Sequence, residues 1–553
     1  MIKIGIFSRK IDNLSNFEYR FYNWCKQQDW LEISVIFFDG RKKISRKSTL
    51  LKIFDFHIFS KIIFKLINKF DYFNIKYKKL DSNKKKEIIE WLNKIEFKSI
   101  FPNSNNYVDY FDEKLSNIIK SYDLDIIIRN EFGIIHGNIL DIPKYGIWSF
   151  HHGDNDINRG GPAGFWEVFY HHKITGVTLQ KLNKNLDGGD IIEKGYYPTQ
   201  ETFLRNNIFI IEKSLEILTK NLRILNFENI KYTKSKVYKG EIYKYPIKYS
   251  IILKYVWIFF KNTIFNKIKK KFFYLLKFKL NHWVIYISKT NDFNRIDLEN
   301  CVPIKTNKNF FLADPFYIKY KKNDLLFYEK FDYKKNKGKI ACSILNENKL
   351  SDEKIILDKE YHLSYPFVFQ YLNYYYLMPE MSEAKQQNIY KSTNFPYEWK
   401  LHKIIFKNRY CADPTIFKDK NSQFWLFINQ SSDPFNDLNS ELYIYKIKNI
   451  DTFEMEPHKK NPVIIDSRCA RNAGNIFFYN DIMVRPSQNT NSISYGNSIN
   501  FSQIDKLCIH EYDERKIFNL NFNKKNIVGT HHFCSFNNKS ILDVCFGRFF
   551  NGI

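Results

Sequence analysis

The chain has 553 residues, 44% of them apolar and 18% aromatic, which exceeds one ordinary core and suits two or three domains. Only 20 Gly and 15 Pro exclude a fibrous or low-complexity chain. Lys and Arg number 86 against 59 Asp and Glu, a net charge of +27, yet no Arg-rich tract, zinc finger or RNA-binding signature accompanies it. Such a balance raises nucleic acid, anionic membrane or anionic substrate as partners, but with Lys, Asn, Ile, Phe and Tyr abundant together it reads first as a whole-sequence compositional bias. Without a signature nucleic acid is not expected, and attraction of a phosphorylated or nucleotide-linked substrate is the functional reading kept.

In chain order, MIKIGIFSRK reads as a first strand and lacks the long apolar core of a signal peptide. None of the eight cysteines forms a CxxC pair, so no zinc site or redox motif is signalled, and a reducing cytoplasmic setting is expected. Residues 16–30 predict a helix and Leu31–Phe38 a second strand. Residues 40–80 are basic and aromatic and give no definite element. Lys84–Phe97 has helical spacing, and Ser99–Phe101 reads as a short strand. Ile126, Ile127 and Ile128, inside Asp123–Arg129, form the compact apolar run of a buried parallel strand. A short helix ends at Ile139–Ile142 before Pro143, and Gly146–His151 is the next strand. This alternation predicts a doubly wound α/β domain, closed by a helix over Phe203–Leu225.

Residues 246–283 are apolar, aromatic and Lys-rich. The run Tyr249–Phe260 is interrupted by Lys254 and too short to span a bilayer. Two readings stand: a basic amphipathic segment giving peripheral membrane contact through 249–280, and a helix packed between domains with its lysines in solvent. Beyond residue 283, apolar strands recur in pairs around polar turns: PFYIKYKKNDLLFYEK, YPFVFQYLNYYYLMPE, ADPTIFKDKNSQFWLFIN and AGNIFFYNDIMVRPSQN. THHFCSFNNKSILDVCFG supplies a fifth pair, and the repeat predicts an all-β five-bladed propeller. The expected organisation is an α/β domain over 1–230, a basic aromatic linker or helix over 231–285 and the propeller over 286–553.

The segment Asp123–Ile192 carries Ser149, His151, Arg159-Gly160, Thr175-Gly176-Val177-Thr178 and Leu186-Asp187-Gly188-Gly189-Asp190 in that order. It resembles the formyltransferases that act on methionyl-tRNA, glycinamide ribonucleotide and nucleotide-linked amino sugars. The resemblance implies a Rossmann-like fold and 10-formyltetrahydrofolate as formyl donor. It places His151 on the family's histidine, Asp187 on its aspartate and Ser149 on its asparagine. Formyl transfer passes through a tetrahedral oxyanion, so it needs a proton shuttle and aimed donors. His151 suits the shuttle, with Asp187 orienting it. Two departures bear on this. A Ser149 hydroxyl is shorter than a carboxamide and donates one hydrogen, so Asn130 or Asn155 would have to substitute. The family's Ser-Leu-Leu-Pro loop, which lies beside the folate, is here Gly153-Asp154-Asn155-Asp156. With Asn130, Arg159 and Gly160, residues Gly153, Asp154 and Asn155 make up the expected cofactor-binding set. His152 and the glycine run Gly160–Gly164 can form another part of the pocket, though a tight turn before a helix at Trp166–Tyr170 explains that run as well.

FLADPF, YHLSYPFVF, YYLMPE, NFPYEWKL, HKKNPV, ARNAG and THH then follow in order. They resemble the N-terminal propeller-type domain of plant glucosamine inositolphosphorylceramide transferases and, more distantly, five-bladed glycoside hydrolase propellers. Asp314, His362, Glu380, Asp413, Arg471 and His531 begin or end the strands expected to face the axis. Carboxylates there can hold sugar hydroxyls or serve as acid and base, although Asp-Pro and Pro-Glu also cap turns. No metal site is expected. The functional expectation is formyl or other acyl transfer to a nucleotide-linked or lipid-linked amino sugar in glycoconjugate synthesis, with the propeller binding or processing the glycan. The alternatives are a degenerate carbohydrate-binding protein and a glycoside hydrolase or glycosyltransferase acting through the propeller.

Overall fold

The computed structural model describes residues 1–9, 11, 14–41, 56–75, 82–105, 108–184, 188–236, 238–246, 248–275, 281–307, 309–431, 433–491, 494–522, 524–536 and 538–547. The chain divides into two compact units, Met1–Thr263 and Ile264–Ile553, so the division falls inside the stretch 231–285.

The first unit is built on a seven-stranded sheet. Its spatial order is Asp190–Pro198, Ile174–Lys181, Ile147–His151, Ile126–Arg129, Ile2–Ser8, Leu31–Asp39 and Glu96–Ile100. The five strands from Ile147–His151 to Glu96–Ile100 run parallel, and Ile174–Lys181 is antiparallel to both its neighbours. Short apolar runs suit parallel strands because helices cover both faces. Accordingly Ile4, Ile6, Phe7, Val35, Ile36, Phe37, Ile126 and Ile127 are buried. The chain moves outward from Ile2–Ser8 through Leu31–Asp39, then returns on the other side at Ile126–Arg129. Such a reversal opens a crevice at the carboxyl ends of the two strands.

Helix Asn16–Lys26 begins with a capping box between Ser15 and Glu18, worth about 1 kcal/mol. Helix Phe203–Leu225, capped by Thr202, buries Phe209, Ile210, Leu215, Leu218 and Leu222. Helix Phe56–Asn74 lies in the stretch whose sequence gave no definite element. Its apolar residues occupy both the buried and the exposed side, which hides the usual one-faced period. Helix Tyr249–Phe260 packs Ile252, Tyr255 and Ile258 with Phe64, Phe165 and Phe203 inside this unit. Among the described residues no helix is long and apolar enough to cross a membrane.

The second unit holds five antiparallel sheets and is propeller-like. Three are four-stranded meanders in chain order, starting at Phe310–Tyr320, Ser364–Tyr371 and Phe477–Tyr479; a fourth, starting at Tyr410–Lys418, adds the short strand Ile464–Ile465. The remaining sheet joins the two ends of the unit: His282–Ser288 pairs antiparallel with Lys539–Phe546. Hydrogen bonds link the innermost segments in a closed circuit. Tyr365 N donates to Asp314 Oδ2 (3.0 Å), Tyr365 Oη meets Thr415 Oγ1 (2.8 Å), and Asn472 Nδ2 donates to the Asp413 carbonyl (2.8 Å). Phe533 N donates to the Ala473 carbonyl (2.8 Å), and Asp314 N returns the circuit to Asp543 Oδ2 (3.1 Å).

Candidate functional site

In the first unit, strand pairing decides which side chains meet. Ile127 lies opposite Ile147, and Arg129 opposite Ser149. Side chains two apart on a strand share a face, so apolar Ile127 and Ile147 give way, at the carboxyl ends, to Arg129, Ser149 and His151. Arg129 Nη1 donates to Ser149 Oγ at 2.9 Å, while Nη2 donates to the carbonyls of Phe132 and Gly133 at 2.9 and 2.8 Å. A guanidinium thus reaches the hydroxyl that stands where a carboxamide was expected.

Buried His151 contacts the Asn158 carbonyl through Nε2 at 3.0 Å. A carbonyl only accepts, so Nε2 carries the hydrogen and Nδ1 is the basic nitrogen of the neutral ring. Asn158 Nδ2 donates to buried Glu167 Oε1 at 2.9 Å, fixing the loop beneath the histidine. Gly153 allows the loop to lie on the ring, since a Cβ there would meet His151 Nε2 at 2.8 Å. Thr178, opposite His151 on the neighbouring strand, donates to the Gly153 carbonyl at 3.0 Å. The two carboxylates of the loop are not loose negative charge: Lys194 Nζ lies 2.5 Å from Asp154 and 2.9 Å from Asp156.

Arg159 and Gly160 form a short parallel pair with Ile242–Tyr243, and the Arg159 guanidinium lies over the Tyr238 ring at 5.0 Å. Arg159 Nε also donates to the Asn155 carbonyl at 3.1 Å. Asn130 follows the strand end, its N–H bonded to the Phe7 carbonyl and its Nδ2 buried without a hydrogen-bond partner. Burial pushes His152 down to about 4, with adjacent His151 adding to the effect, so it is neutral near pH 7. Asp187 lies outside the described residues. Sequence reasoning missed Arg129, Asn158, Glu167 and Lys194. The signal for Arg129 was a cation ending an all-isoleucine run.

In the second unit, Asp314, Tyr365 and Asp413 occupy equivalent places on their sheets. Each is left-handed (φ +51°, +45° and +48°), precedes a proline and sits at a bulge in the strand. Left-handed non-glycine residues cost on the order of 1 kcal/mol or more. Here Asp314 and Tyr365 enter the hydrogen-bond circuit through their side chains, while Asp413 enters through its carbonyl and gives its carboxylate to Arg471 and Gln488. Arg471 gathers two of the expected residues: Nε lies 2.6 Å from Asp413 Oδ2, and Nη2 lies 2.9 Å from Glu380 Oε2. One guanidinium cannot neutralise two buried carboxylates. Burial holds Glu380 well above the usual carboxylate range; Arg471 opposes this and neighbouring Asp413 reinforces it.

His531 stacks on Trp283 (3.8 Å between ring centres) and bonds Asp543 through Nδ1 at 2.8 Å. Burial favours the neutral ring, but the carboxylates of Asp543 and Asp314 outweigh it and keep His531 charged to higher pH. Asp314 lies 3.7 Å from His531 Nε2, and burial pushes it up to about 7 despite that histidine. Of the six expected residues, His362 stands apart: it accepts from Gly338 N through Nδ1, and its Nε2 points at Glu329 Oε1 from 3.5 Å. Glu329 Oε1 is buried without a hydrogen-bond partner, and burial, then the charge of Asp314, raises this carboxyl strongly. Tyr495 lies against both Arg471 and His531. Sequence reasoning missed Glu329, Tyr365, Tyr495 and Asp543. Chemically the cluster offers buried carboxyls held above the usual carboxylate range, one fixed guanidinium, an imidazole held toward its charged form and aromatic walls. Such a set can hydrogen-bond sugar hydroxyls or pass a proton to a glycosidic oxygen.

Residues 300–534 match the family model for the N-terminal part of glucosamine inositolphosphorylceramide transferase 1. The transferase of that name from Arabidopsis thaliana is 35% identical over 234 residues, 40% of this chain and 30% of the plant protein. The chain therefore spans less than a third of that relative's length. A methionyl-tRNA formyltransferase from Clostridium perfringens (strain SM101 / Type A) is 24% identical over 247 residues, 43% of this chain and 76% of the enzyme. Among solved structures, a beta-xylosidase/alpha-arabinofuranosidase from a compost microbial metagenome aligns over 42% of this chain and 84% of its own, at 13% identity and TM-score 0.32. The chain joins a formyltransferase-like unit to a unit similar to the plant transferase's N-terminal part.

Proposed function

We propose that the first unit transfers a formyl group from 10-formyltetrahydrofolate to the amine of a nucleotide-linked or lipid-linked amino sugar, and that the second unit, which we read as a five-bladed propeller, holds the glycan. The observation that carries this is the shared face of Arg129, Ser149 and His151 at the carboxyl ends of paired strands, beside the topological reversal. The donor supplies an activated formyl group when bound. Asn130 fits it through an orphaned buried amide nitrogen, and the loop Gly153–Asn155 would lie along it. His151, its Nε2 hydrogen committed to Asn158, takes the proton of the incoming amine at Nδ1. Arg129, steered by Ser149, is the donor that replaces the missing carboxamide. Eight free cysteines fit a cytoplasmic setting.

The test is calorimetric titration of the whole chain with 5-formyltetrahydrofolate, followed by mass spectrometry of amino-sugar nucleotides for formyl gain. Saturable binding, and formyl gain lost in His151→Ala, is the expected result. No binding at high ligand concentration would overturn the assignment of a folate donor. A second reading, glycan cleavage or transfer at the second unit, is favoured by the buried carboxyls Asp314 and Glu380, both held above the usual carboxylate range by burial. Loss of sugar turnover in Glu380→Gln with formyl transfer intact would select it. If formyl transfer appears only in Ser149→Asn, the first unit is a degenerate transferase and the protein a carbohydrate binder.

A further inference from the structure

Two helices of the first unit each present a stripe of large apolar residues to solvent. On Phe56–Asn74, the exposed residues Phe59, Ile62, Leu66, Phe70 and Phe73 follow steps of three and four and so form one stripe. Ser60, Phe64 and Asp71 line the opposite, buried side. Phe64 packs on Phe165, Phe203 and Tyr255, and Asp71 accepts from Thr202. On Tyr249–Phe260, the exposed residues Tyr249, Leu253, Trp257 and Phe260 repeat the same steps, with Ile252, Tyr255 and Ile258 buried behind them. The helices lie side by side: Phe59 meets Tyr249 at 6.5 Å between ring centres, and Phe70 meets Phe259 at 6.2 Å. Leu66 and Trp257 are each 61% exposed and Phe73 is 75% exposed, values a water-facing helix has no reason to keep.

Among the described residues, the exposed charges on these helices and at their ends are lysines. Lys61, Lys65 and Lys69 each precede an exposed apolar residue, and Lys248 and Lys261 flank the second helix; Lys254, inside it, lies over the Phe169 ring at 4.5 Å. The one carboxylate on either helix, Asp71, is buried. A second copy of this face would set lysines against lysines. An anionic bilayer offers apolar chains to the stripes and negative headgroups to the lysines.

We propose that these two helices form a platform that docks the protein on an anionic membrane, Leu66 and Trp257 entering the headgroup layer and Lys61, Lys65, Lys69, Lys248 and Lys261 resting among the phosphates. The exposed stripes share no residue with the Arg129, Ser149 and His151 site, so the loss of docking and the loss of formyl transfer are read separately. The experiment is co-sedimentation of the full chain with vesicles of about 30% phosphatidylglycerol in phosphatidylcholine, at about 0.1 M salt. We expect binding that falls at least tenfold in the double variant Leu66→Glu, Trp257→Glu. Lys61→Gln, Lys65→Gln and Lys69→Gln together should cost several-fold and lower the salt dependence. Both sets are exposed, and unchanged thermal unfolding and 5-formyltetrahydrofolate titration would exclude misfolding as the cause. Binding equal in all variants, or equal on pure phosphatidylcholine, overturns the proposal. So does absent binding, including the case of self-association abolished by the Leu66 and Trp257 changes, which makes the face a contact between copies.

Discussion

In the first unit Arg129 reaches Ser149 twenty positions away and His151 reaches Asn158 seven away, and several partners are backbone carbonyls. In the second, Asp314 is held by Asp543 at a separation of 229 and Arg471 bonds Glu380 at a separation of 91. The first site is assembled from nearby segments; the second is rich in carboxylates and drawn from every sheet. Removing a side chain from a local cluster leaves the core intact, so the loss appears in chemistry. Removing one from a buried network of unequal charges strands the others, so the loss appears in stability.

The largest effect expected from this contrast is that of Arg471→Met. It leaves Asp413 and Glu380 buried without their cation and should cost about 3–5 kcal/mol, a drop of roughly 10 °C in the second unit's unfolding temperature. Calorimetry checks it, and a shift under 2 °C would deny that the network carries stability. In the first unit, Arg129→Lys keeps the charge but loses the planar fork. Its kcat for formyl transfer should fall on the order of 10²-fold with little change in unfolding temperature. Equal damage to both readouts would erase the distinction between the units.

The third prediction concerns pH. Asp314 titrates near 7 in the fold against an unfolded carboxylate near 4, so between these values the folded state binds more protons. Its contribution to stability is complete below the unfolded value and is lost as pH rises through 7. Asp314→Asn keeps an oxygen for Tyr365 N and should flatten the stability difference between pH 5 and pH 8 by about 2 kcal/mol. An unchanged slope would move the titration elsewhere. The smallest effect is that of Lys194→Ala, which frees Asp154 and Asp156 and should weaken 5-formyltetrahydrofolate binding by roughly tenfold or less, read by calorimetry.

The same contrast governs what the sequence discloses. Ser149, His151 and Arg159-Gly160 stand close together, so their order exposes the site, and Ala-Asp-Pro repeated at Asp314 and Asp413 marks two equivalent bulges. Glu329 escapes because it lies on the strand paired to the bulged one, and Asp543 because it lies on the strand that closes the unit against His282–Ser288; only register brings either inward. Their trace is a carboxylate inside an apolar run, LLFYEK and ILDVCF, the same trace that Arg129 leaves after three isoleucines. Helix Phe56–Asn74 escapes for another reason: apolar residues on two faces erase the period, and the exposed stripe that hides the helix is the one proposed to meet the membrane.

The pairing of His282–Ser288 with Lys539–Phe546 has a consequence in time. During synthesis the opening strand of the second unit emerges long before its mate, and the circuit of inner segments stays broken until that mate arrives. Asp543, on the late strand, receives the N–H groups of Asp314, His531 and His532, so the carboxylate cluster is assembled last. A ribosome halted before residue 539 would release a complete first unit attached to an unclosed set of sheets with bare edges, the kind of species that chaperones hold and proteases clear.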